Sequence, residues 1–223
     1  MKPILFNTEM VKAILESRKK QTRRIIPVSP IYWTSPTLLE PDCAAMFNYA
    51  AGGCQNHSPI PHFENSKYTI NDILYVRETW TLGEKEIIRP ENVWYIRNDL
   101  GNDVFYKADI DDNFYDPDNI CKWKPSIHMP KRYARVFLKV TNVRIERVQD
   151  ISLTNMLEEG INHLKNYNMG RVVKPYTQIK REFINLWNST IKDGYKWEDN
   201  PYVFVYEFEK IEKKDLERFR YEL

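Results

Sequence analysis

The chain of 223 residues is poor in cysteine and glycine, and it has no long hydrophobic run. Its three cysteines, Cys43, Cys54 and Cys121, are too few and too unevenly spaced for a disulfide framework. The seven glycines include no G-x-G-x-x-G or G-x-x-x-x-G-K segment, which removes the main support for a nucleotide-binding fold. No apolar stretch approaches the roughly 20 residues of a membrane helix, and the N-terminus lacks the apolar core of a signal peptide. The sequence therefore predicts a cytoplasmic protein that does not span a membrane.

Positive and negative charges occupy separate blocks of a chain whose total charge is close to neutral. Thirty-three Lys and Arg residues stand against 31 Asp and Glu, for a net charge of +2. Residues 119–145 contain no acid, and the segment 18–24 is a second basic block. If the two blocks share one face of the fold, that face would attract a polyanion; two separate solvated surfaces are the alternative.

Three segments have the residue spacing of amphipathic helices. The first begins after Asn7 and Thr8, which can cap it, and ends near Ser17. The second begins near Ser152, whose hydroxyl can cap it, and ends at Gly160. The third has the strongest helical period in the chain, carried by Ile179, Phe183, Leu186 and Trp187. This period assigns Phe183 and Trp187 to the core and not to a ligand site.

Short runs of β-branched and aromatic residues predict strands near 22–26, 73–77 and 202–208. Two further runs, 93–97 and 104–107, flank a turn-rich link and predict a hairpin. Along the strand that ends at Ile145, the apolar residues change parity near Thr141 and Asn142, which predicts a bulge or sharp bend of the kind that closes small barrels. The predicted fold class is α+β, a small curled β-barrel with two or three flanking helices.

We interpret two stretches as insertions in a single domain of residues 1–211. The first, at about 28–66, has no clear period, the second lies at about 98–124, and a charged tail follows at 212–223. The first insertion contains a set of side chains whose types suit zinc but whose first gap is not a familiar finger spacing: Cys43, Cys54, His57 and His62. Chance clustering is the simpler interpretation, and we predict neither a metal nor another cofactor.

The most informative segment lies where the first helix gives way to a strand. Ser17-Arg18-Lys19-Lys20-Gln21-Thr22-Arg23-Arg24 resembles the G-x-K-x-x-x-x-R signature of ASCH domains, a branch of the PUA-like superfamily. Asn71-Asp72-Ile73-Leu74-Tyr75-Val76-Arg77-Glu78 resembles the second family element, G-D-x-L-x-V-R-E. Ser17 and Asn71 stand where glycine is usual. Because they lack glycine's freedom to adopt positive φ, we expect the local turns to differ.

The resemblance implies a PUA-like barrel that binds nucleic acid or a nucleoside in a cleft. Further segments are similar to longer ASCH-like proteins common in phages and prophages: 2–7, 77–80, 125–130 and 200–204. Some small ASCH proteins are amidohydrolases that remove an acetyl group from N4-acetylcytidine, and others have been described as ribonucleases. The amidohydrolase pattern is a lysine, a threonine three residues later and a glutamate on a later helix. It matches Lys19, Thr22 and Glu159.

The same residues suit amide hydrolysis on chemical grounds. Lys19 is crowded by Arg18, Lys20, Arg23 and Arg24, which disfavours its charged form and lowers its pKa toward a value useful for a general base. A neutral Lys19 would deprotonate Thr22 or a water for attack on a carbonyl, and Glu159 would orient the lysine and carry a proton to the leaving amine. On a strand, residues 22 and 24 share a face, so Arg24 would stabilise an oxyanion or hold a phosphate.

The remaining candidate residues are predicted to bind the substrate. Trp80 or Trp123 would supply a flat apolar wall, since stacking is worth about 1–3 kcal/mol per base. The full predicted set is Arg23, Arg24, Arg77, Glu78, Trp80, Trp123, Ser126 and His128. The predicted partner is a modified nucleoside or a nucleic acid, with RNA favoured over DNA.

Simpler interpretations stand beside each of these. The 18–24 segment also fits an exposed basic turn, Glu159 a charge at a helix end, and His128 a structural histidine in a rigid proline loop. At the level of the whole protein, three alternatives are open. The first is a binding module without turnover that recognises RNA or a modified base, the second is a ribonuclease, and the third is an interaction protein that blocks a host partner.

Overall fold

A computed structural model of the protein describes residues 1–26, 66–88, 93–116, 121–167, 170–191 and 194–220. It contains ten strands: β1 (Lys2–Leu5), β2 (Gln21–Ile25), β3 (Ile73–Arg77), β4 (Trp80–Ile88), β5 (Val93–Arg97), β6 (Asp103–Tyr106), β7 (Phe137–Arg147), β8 (Leu164–Tyr167), β9 (Gly170–Val173) and β10 (Tyr202–Ile211). Its helices are α1 (Thr8–Leu15), α2 (Leu153–Glu158) and α3 (Tyr176–Thr190), together with short 3₁₀ turns. The predicted α+β class is confirmed, and so are the three predicted helices.

The central sheet has five strands in the order β1-β3-β7-β10-β2. β1 and β3 are parallel, and the other neighbours are antiparallel. β1 and β2 are the two edges, and no ladder joins them within the described ranges, so the predicted closure into a barrel is not found there. The Arg24 side chain reaches across from β2 instead and donates a hydrogen bond to the Leu5 carbonyl over 2.8 Å.

Separate cores cover the two faces of this sheet because strand residues alternate between faces. On β10, Phe204 and Tyr206 belong to a cluster that includes α1, whereas Val203 and Val205 belong to a cluster with α2 and α3. Burying one large apolar side chain contributes about 1.5–3 kcal/mol, so both clusters hold the helices firmly on the sheet. Residues of β2 also alternate between the two faces of the sheet. Thr22 and Arg24 pair with Tyr206 and Phe204, while Arg23 pairs with Val205.

Polar side chains begin the first two helices where the sequence predicts. The Asn7 side chain accepts a hydrogen bond from the Met10 amide at 2.8 Å, and the Ser152 hydroxyl accepts one from the Asn155 amide at 3.2 Å. Such caps satisfy amides that have no partner within the helix, and each is worth about 1 kcal/mol. The caps therefore fix where α1 and α2 start.

The predicted change of face in the long strand is confirmed as a β-bulge in β7. On β10, Glu207 pairs with Asn142 and Phe208 pairs with Val140. Thr141 of β7 is therefore left without an opposing residue. Val140 is buried, whereas Thr141 and Asn142 are exposed. The extra residue reverses the parity of the strand, as the apolar pattern requires.

The predicted hairpin of 93–97 with 104–107 is wrong. Both strands pair with β4, in a second sheet with the order β5-β4-β6. β5 pairs with Glu84–Ile88 and β6 pairs with Trp80–Gly83. β4 was not recognised in the sequence because Gly83 and the charged run 84–86 depart from strand composition. Without β4, the turn-rich link resembled a hairpin turn.

The other predictions about chain organisation concern its insertions and its end. Apart from Ser66, the insertion at 28–66 lies outside the described residues, and so do the four zinc candidates. Within the described ranges there is no group of three side chains that could hold a metal ion. The segment predicted as a tail contains a 3₁₀ helix, Lys213–Arg220, and its Leu216 is buried beside Phe137. None of the described helices has the length and apolar character needed to cross a membrane.

Candidate functional site

The turn after α1 directs Lys19 into the protein. Ser17 has a φ of 60°, and the amides of Arg18 and Lys19 both donate to the Ala13 carbonyl, at 2.9 and 3.0 Å. Asn71, the other residue at a position where the resembling signature has glycine, has a φ of 71°. The expectation that these two turns would differ is therefore wrong. Both residues adopt the left-handed conformation that glycine adopts freely, at a cost of about 1–2 kcal/mol each.

The end of α2 packs closely against this turn. Gly160 has a φ of +100°, and a Cβ there would lie 2.9 Å from the Ala13 Cβ and 3.3 Å from the Lys19 Cβ. The Lys20 amide donates to the Glu158 carbonyl over 2.8 Å. Because glycine permits both the left-handed conformation and the close approach, the helix end can rest on the turn. This contact places Glu159 against Lys19.

A network of charged side chains lies at this junction, and Lys19, Arg23 and Glu159 are its buried members. The Lys19 Nζ lies 2.7 Å from Glu159 Oε2 and also donates to the Glu159 carbonyl at 2.9 Å. One Arg23 guanidinium nitrogen donates to Glu159 Oε1 at 2.8 Å, and the Arg23 Nε donates to Glu146 Oε1 at 2.9 Å. The side chains of Lys19 and Arg23 are 0% exposed, and that of Glu159 is 6% exposed. Glu146 is also paired with Arg144, 3.1 Å away, and Arg144 with Glu207, so each charge has an opposite partner, which is the condition under which buried charges are tolerated.

Sequence reasoning predicted Lys19 and Glu159 but missed Glu146. Glu146 lies on β7 in register with Val203 of β10, and Arg23 lies on β2 in register with Val205 of the same strand. The two side chains therefore share a face of the sheet across an intervening strand. A sequence contains no signal for this contact unless the strand order is known.

Burial changes the protonation of Lys19 more than the neighbouring cations do. Loss of hydration lowers the pKa of the Lys19 amine, Glu159 opposes that change, and Arg24 and Arg23 add smaller contributions in the same direction as burial. The predicted direction is therefore right, but the predicted cause, crowding by like charges, is secondary. Of the crowding residues, Arg18 turns away to Glu16 and the Gly160 carbonyl, and Lys20 is exposed.

Thr22 and Arg24 lie on the opposite face of β2 from Arg23, as the alternation of strand residues predicts. The ring of Phe6 stands between two cations. The Lys19 Nζ lies 5.4 Å from its centroid, and the Arg24 guanidinium carbon lies 5.5 Å from it. Thr22 is buried, and its hydroxyl makes no hydrogen bond to another described residue. Thr22, Arg24 and Glu159 line a common cavity, and Lys19 contacts Glu159.

A cavity of about 600 Å³ opens between the two edge strands of the central sheet. Its polar wall contains Thr22, Arg23, Arg24 and Glu159, together with Thr79 and Ser126 from the opposite side. Its apolar wall contains Phe6, Phe183, Leu186 and Trp187. Cavities of roughly 300–1,000 Å³ with a mainly apolar lining and a few polar groups hold small ligands of nucleoside size. Lys19 lies behind this lining, with Glu159 between its amine and the cavity.

Neither tryptophan predicted to form the wall lies at the cavity. Trp80 is buried and packs against Tyr133, with ring centroids 4.9 Å apart, and Trp123 packs against Phe114. Phe183 and Trp187 take their place. They belong to the core, as their helical period predicts, and each also presents part of its surface to the cavity. The period identifies a buried face but cannot tell which part of that face adjoins a cavity.

The other predicted substrate-binding residues separate into two groups. Ser126 lines the cavity, whereas His128 is exposed. Arg77 donates to the Ile127 carbonyl. Glu78 is 1% exposed, and both of its oxygens accept from Arg135, at 2.9 and 3.0 Å. Burial raises the pKa of the Glu78 carboxyl while the Arg135 guanidinium opposes that change, so this pair anchors the loop that carries Arg135.

Comparison of the chain with protein-family models, with curated proteins and with solved structures finds no match. Function is therefore inferred from the geometry of the site and from the resemblance of its motifs.

Proposed function

We propose that this protein is an ASCH-type amidohydrolase with a PUA-like fold, which removes an acyl group from the exocyclic amine of a nucleobase. N4-acetylcytidine is the model substrate. The observation that carries the proposal is the buried Lys19–Glu159 pair, 2.7 Å apart, at the wall of a cavity of nucleoside size. Burying an ion costs several kcal/mol, and groups with perturbed protonation cluster at functional sites.

The turns at Ser17 and Asn71 support the ASCH resemblance. Among the described residues, the non-glycine positions with positive φ are Ser17, Asn71 and Asn200. Two of these three are the positions at which the family signature has glycine. A chance match between two short motifs would not explain why both positions need the backbone conformation that glycine favours.

The proposed reaction uses Lys19 and Glu159 as one proton-holding unit. With its amine neutral, the pair accepts a proton from the Thr22 hydroxyl or from a water as that oxygen attacks the acetyl carbonyl carbon. Arg24, which lines the same cavity, stabilises the negative oxygen that forms. The C–N bond then breaks, and the pair returns the proton to the leaving amine. The products are cytidine and acetate; if Thr22 attacks first, water hydrolyses its acetyl ester in a second step.

Arg23 has a positioning role in this scheme. Its guanidinium contacts both Glu159 and Glu146 and has no exposed surface, so it is not free to bind substrate as the sequence predicted. By holding Glu159 Oε1, it leaves Oε2 for Lys19. This division keeps the carboxylate facing the cavity.

A second candidate function is a nucleoside-binding module without turnover. The enclosure of Lys19 favours it, since the amine reaches the cavity only through Glu159 and both carboxylate oxygens of Glu159 already have partners. In that case the network would be structural, and the cavity would recognise a modified base.

Chromatographic detection of cytidine released from N4-acetylcytidine separates the two functions. We expect the wild type to release cytidine and Lys19→Met to lose about 10²–10⁴-fold in rate. Thr22→Val should lose as much if Thr22 is the nucleophile and should keep most of the rate if a water attacks. Lys20→Met is the matched control because Lys20 is the exposed neighbour and should keep full activity. Full activity in folded Lys19→Met would refute the hydrolase. Saturable binding of the nucleoside without any release would establish the second function.

A further inference from the structure

Three basic side chains lie over aromatic rings of a single cluster. The Lys124 Nζ is 4.8 Å from the centroid of the Trp80 ring, and the Arg132 guanidinium carbon is 4.7 Å from that of Tyr133. The Lys131 Nζ is 5.8 Å from the centroid of the Tyr75 ring. Trp80, Tyr75 and Tyr133 pack in the same cluster of the fold. The rings therefore place the three cations around one aromatic cluster.

These cations are exposed and have no acidic partner among the residues that the structure describes. A fourth cation, Lys122, lies two residues before Lys124, and its carbonyl accepts a hydrogen bond from the hydroxyl of Thr81, the neighbour of Trp80, at 2.9 Å. All four cations are exposed and form no ion pair with a described residue. Of the acids near this cluster, Glu78 and Asp109 are paired with Arg135, Asp116 accepts a hydrogen bond from the Cys121 amide, and Asp215 precedes the buried Leu216 of the cluster. Residues 119–145 contribute no further acid. The charge of this surface is therefore left for an external anion.

The surface continues directly into the rim of the cavity. The backbones of Trp80 and Lys124 pair through hydrogen bonds of 2.8 and 3.2 Å. The next residues along each segment, Thr79 and Pro125 with Ser126, line the cavity. An extended ligand held by the cations would pass the mouth of the cavity.

We propose that this basic-aromatic surface, formed by Lys122, Lys124, Lys131 and Arg132 with Tyr75 and Tyr133, binds single-stranded nucleic acid and presents one base to the cavity. Its cations would contact phosphates, and the exposed Arg132 guanidinium, held over the Tyr133 ring, would stack on a base, a combination typical of single-strand binding. A base must leave its stack to enter the cavity, which disfavours a duplex. The presentation of a substrate base rests on the proposed hydrolase function, whereas binding of the strand does not.

Fluorescence anisotropy with a labelled single-stranded RNA and its DNA counterpart tests the surface. If four phosphates are neutralised, the logarithm of affinity falls with the logarithm of salt with a slope of about −2.8, so raising salt from about 50 to about 200 mM weakens binding about 50-fold. In Lys124→Gln/Arg132→Gln, two phosphate contacts are lost, and the same change in salt weakens binding only about 7-fold. The charge-preserving Lys124→Arg/Arg132→Lys variant should retain the wild-type slope.

The matched control is Lys67→Gln/Arg181→Gln. It also removes two exposed positive charges, and Lys67 likewise lies over a tyrosine ring, at 5.3 Å, but neither residue belongs to the surface. We expect this control to keep the wild-type affinity and slope. An equal loss in both double variants, no binding of either strand, or equal binding of duplex and single strand would overturn the proposal.

Comparing two substrates separates this proposal from the hydrolase itself. We expect acetylated cytidine within an oligonucleotide to be hydrolysed with a higher kcat/KM than the free nucleoside at low salt, an advantage that Lys124→Gln/Arg132→Gln abolishes. Strand binding without any hydrolysis would contradict the hydrolase and leave the surface standing. Hydrolysis of the free nucleoside without strand binding would contradict the surface and leave the hydrolase standing.

Discussion

The buried network predicts that Lys19 and Glu159 are strongly coupled in stability. Lys19→Met leaves Arg23 as the one cation paired with Glu159, and Glu159→Gln leaves the buried Lys19 without its paired carboxylate. Removing one partner of a buried pair costs about 3–5 kcal/mol because the remaining charge is not compensated. For a chain of this length, about 3 kcal/mol lowers Tm by about 6–12 °C.

The double variant Lys19→Met/Glu159→Gln restores the charge balance, since Arg23 and Glu146 still pair. It should therefore be no less stable than either single variant, which gives a coupling energy of about 3 kcal/mol in urea unfolding. The control is the Arg97–Asp99 pair, which is 2.8 Å long but exposed. Its coupling in the same double-mutant cycle should be indistinguishable from zero. If the stability lost in the double variant equals the sum of the losses in the two single variants, the predicted coupling between Lys19 and Glu159 is refuted.

Three further predictions concern the site and its turns. The pKa of Lys19 is lowered in the folded protein, so between that pKa and 10.5 the Lys19 amine binds more protons in the unfolded chain than in the folded one. The free energy of unfolding therefore rises with pH in this range. Urea unfolding at several pH values should show this rise in the wild type relative to Lys19→Met. Gly160→Ala should destabilise the folded protein by about 1–3 kcal/mol through backbone strain and contact with Ala13. The control, Gly194→Ala, should cost about 1 kcal/mol, because its φ is also positive but a Cβ there would meet nothing within 4 Å. Ser17→Gly should unfold thermally at or above the wild-type Tm, whereas Ser17→Val should unfold several degrees lower because β-branched residues avoid positive φ. Equal Tm values for these last two variants would contradict the assigned turn.

Local features of the fold could be predicted from the sequence because they depend on neighbouring residues. The caps at Asn7 and Ser152, the period of α3 and the parity change at Thr141 each follow from a few adjacent side chains. The strand β4 could not be predicted in this way. β4 needs a glycine at position 83 because a Cβ there would lie 2.5 Å from the Arg97 carbonyl oxygen. This steric requirement arises only when β5 pairs with β4.

The candidate site likewise combines residues that follow from local sequence with residues that depend on the tertiary fold. Lys19, Thr22 and Arg24 lie within one helix-to-strand segment, so their relation follows from local geometry, and Glu159 was reached through the motif resemblance. Glu146 and the apolar wall of the cavity depend on which strands and helices become neighbours. The sequence predicts Trp80 or Trp123 for that wall because a base stacks on a flat apolar side chain. Packing places Trp80 beneath Lys124 instead.

The measurement that tests the site most directly is a crystal structure of the wild-type protein soaked with cytidine, the proposed product. We expect the base to lie in the cavity against Phe183 and Trp187, with its exocyclic amine within hydrogen-bond distance, about 2.7–3.2 Å, of Thr22 or Glu159. Cytidine bound elsewhere, or a cavity filled by other parts of the chain, would contradict the proposed active site.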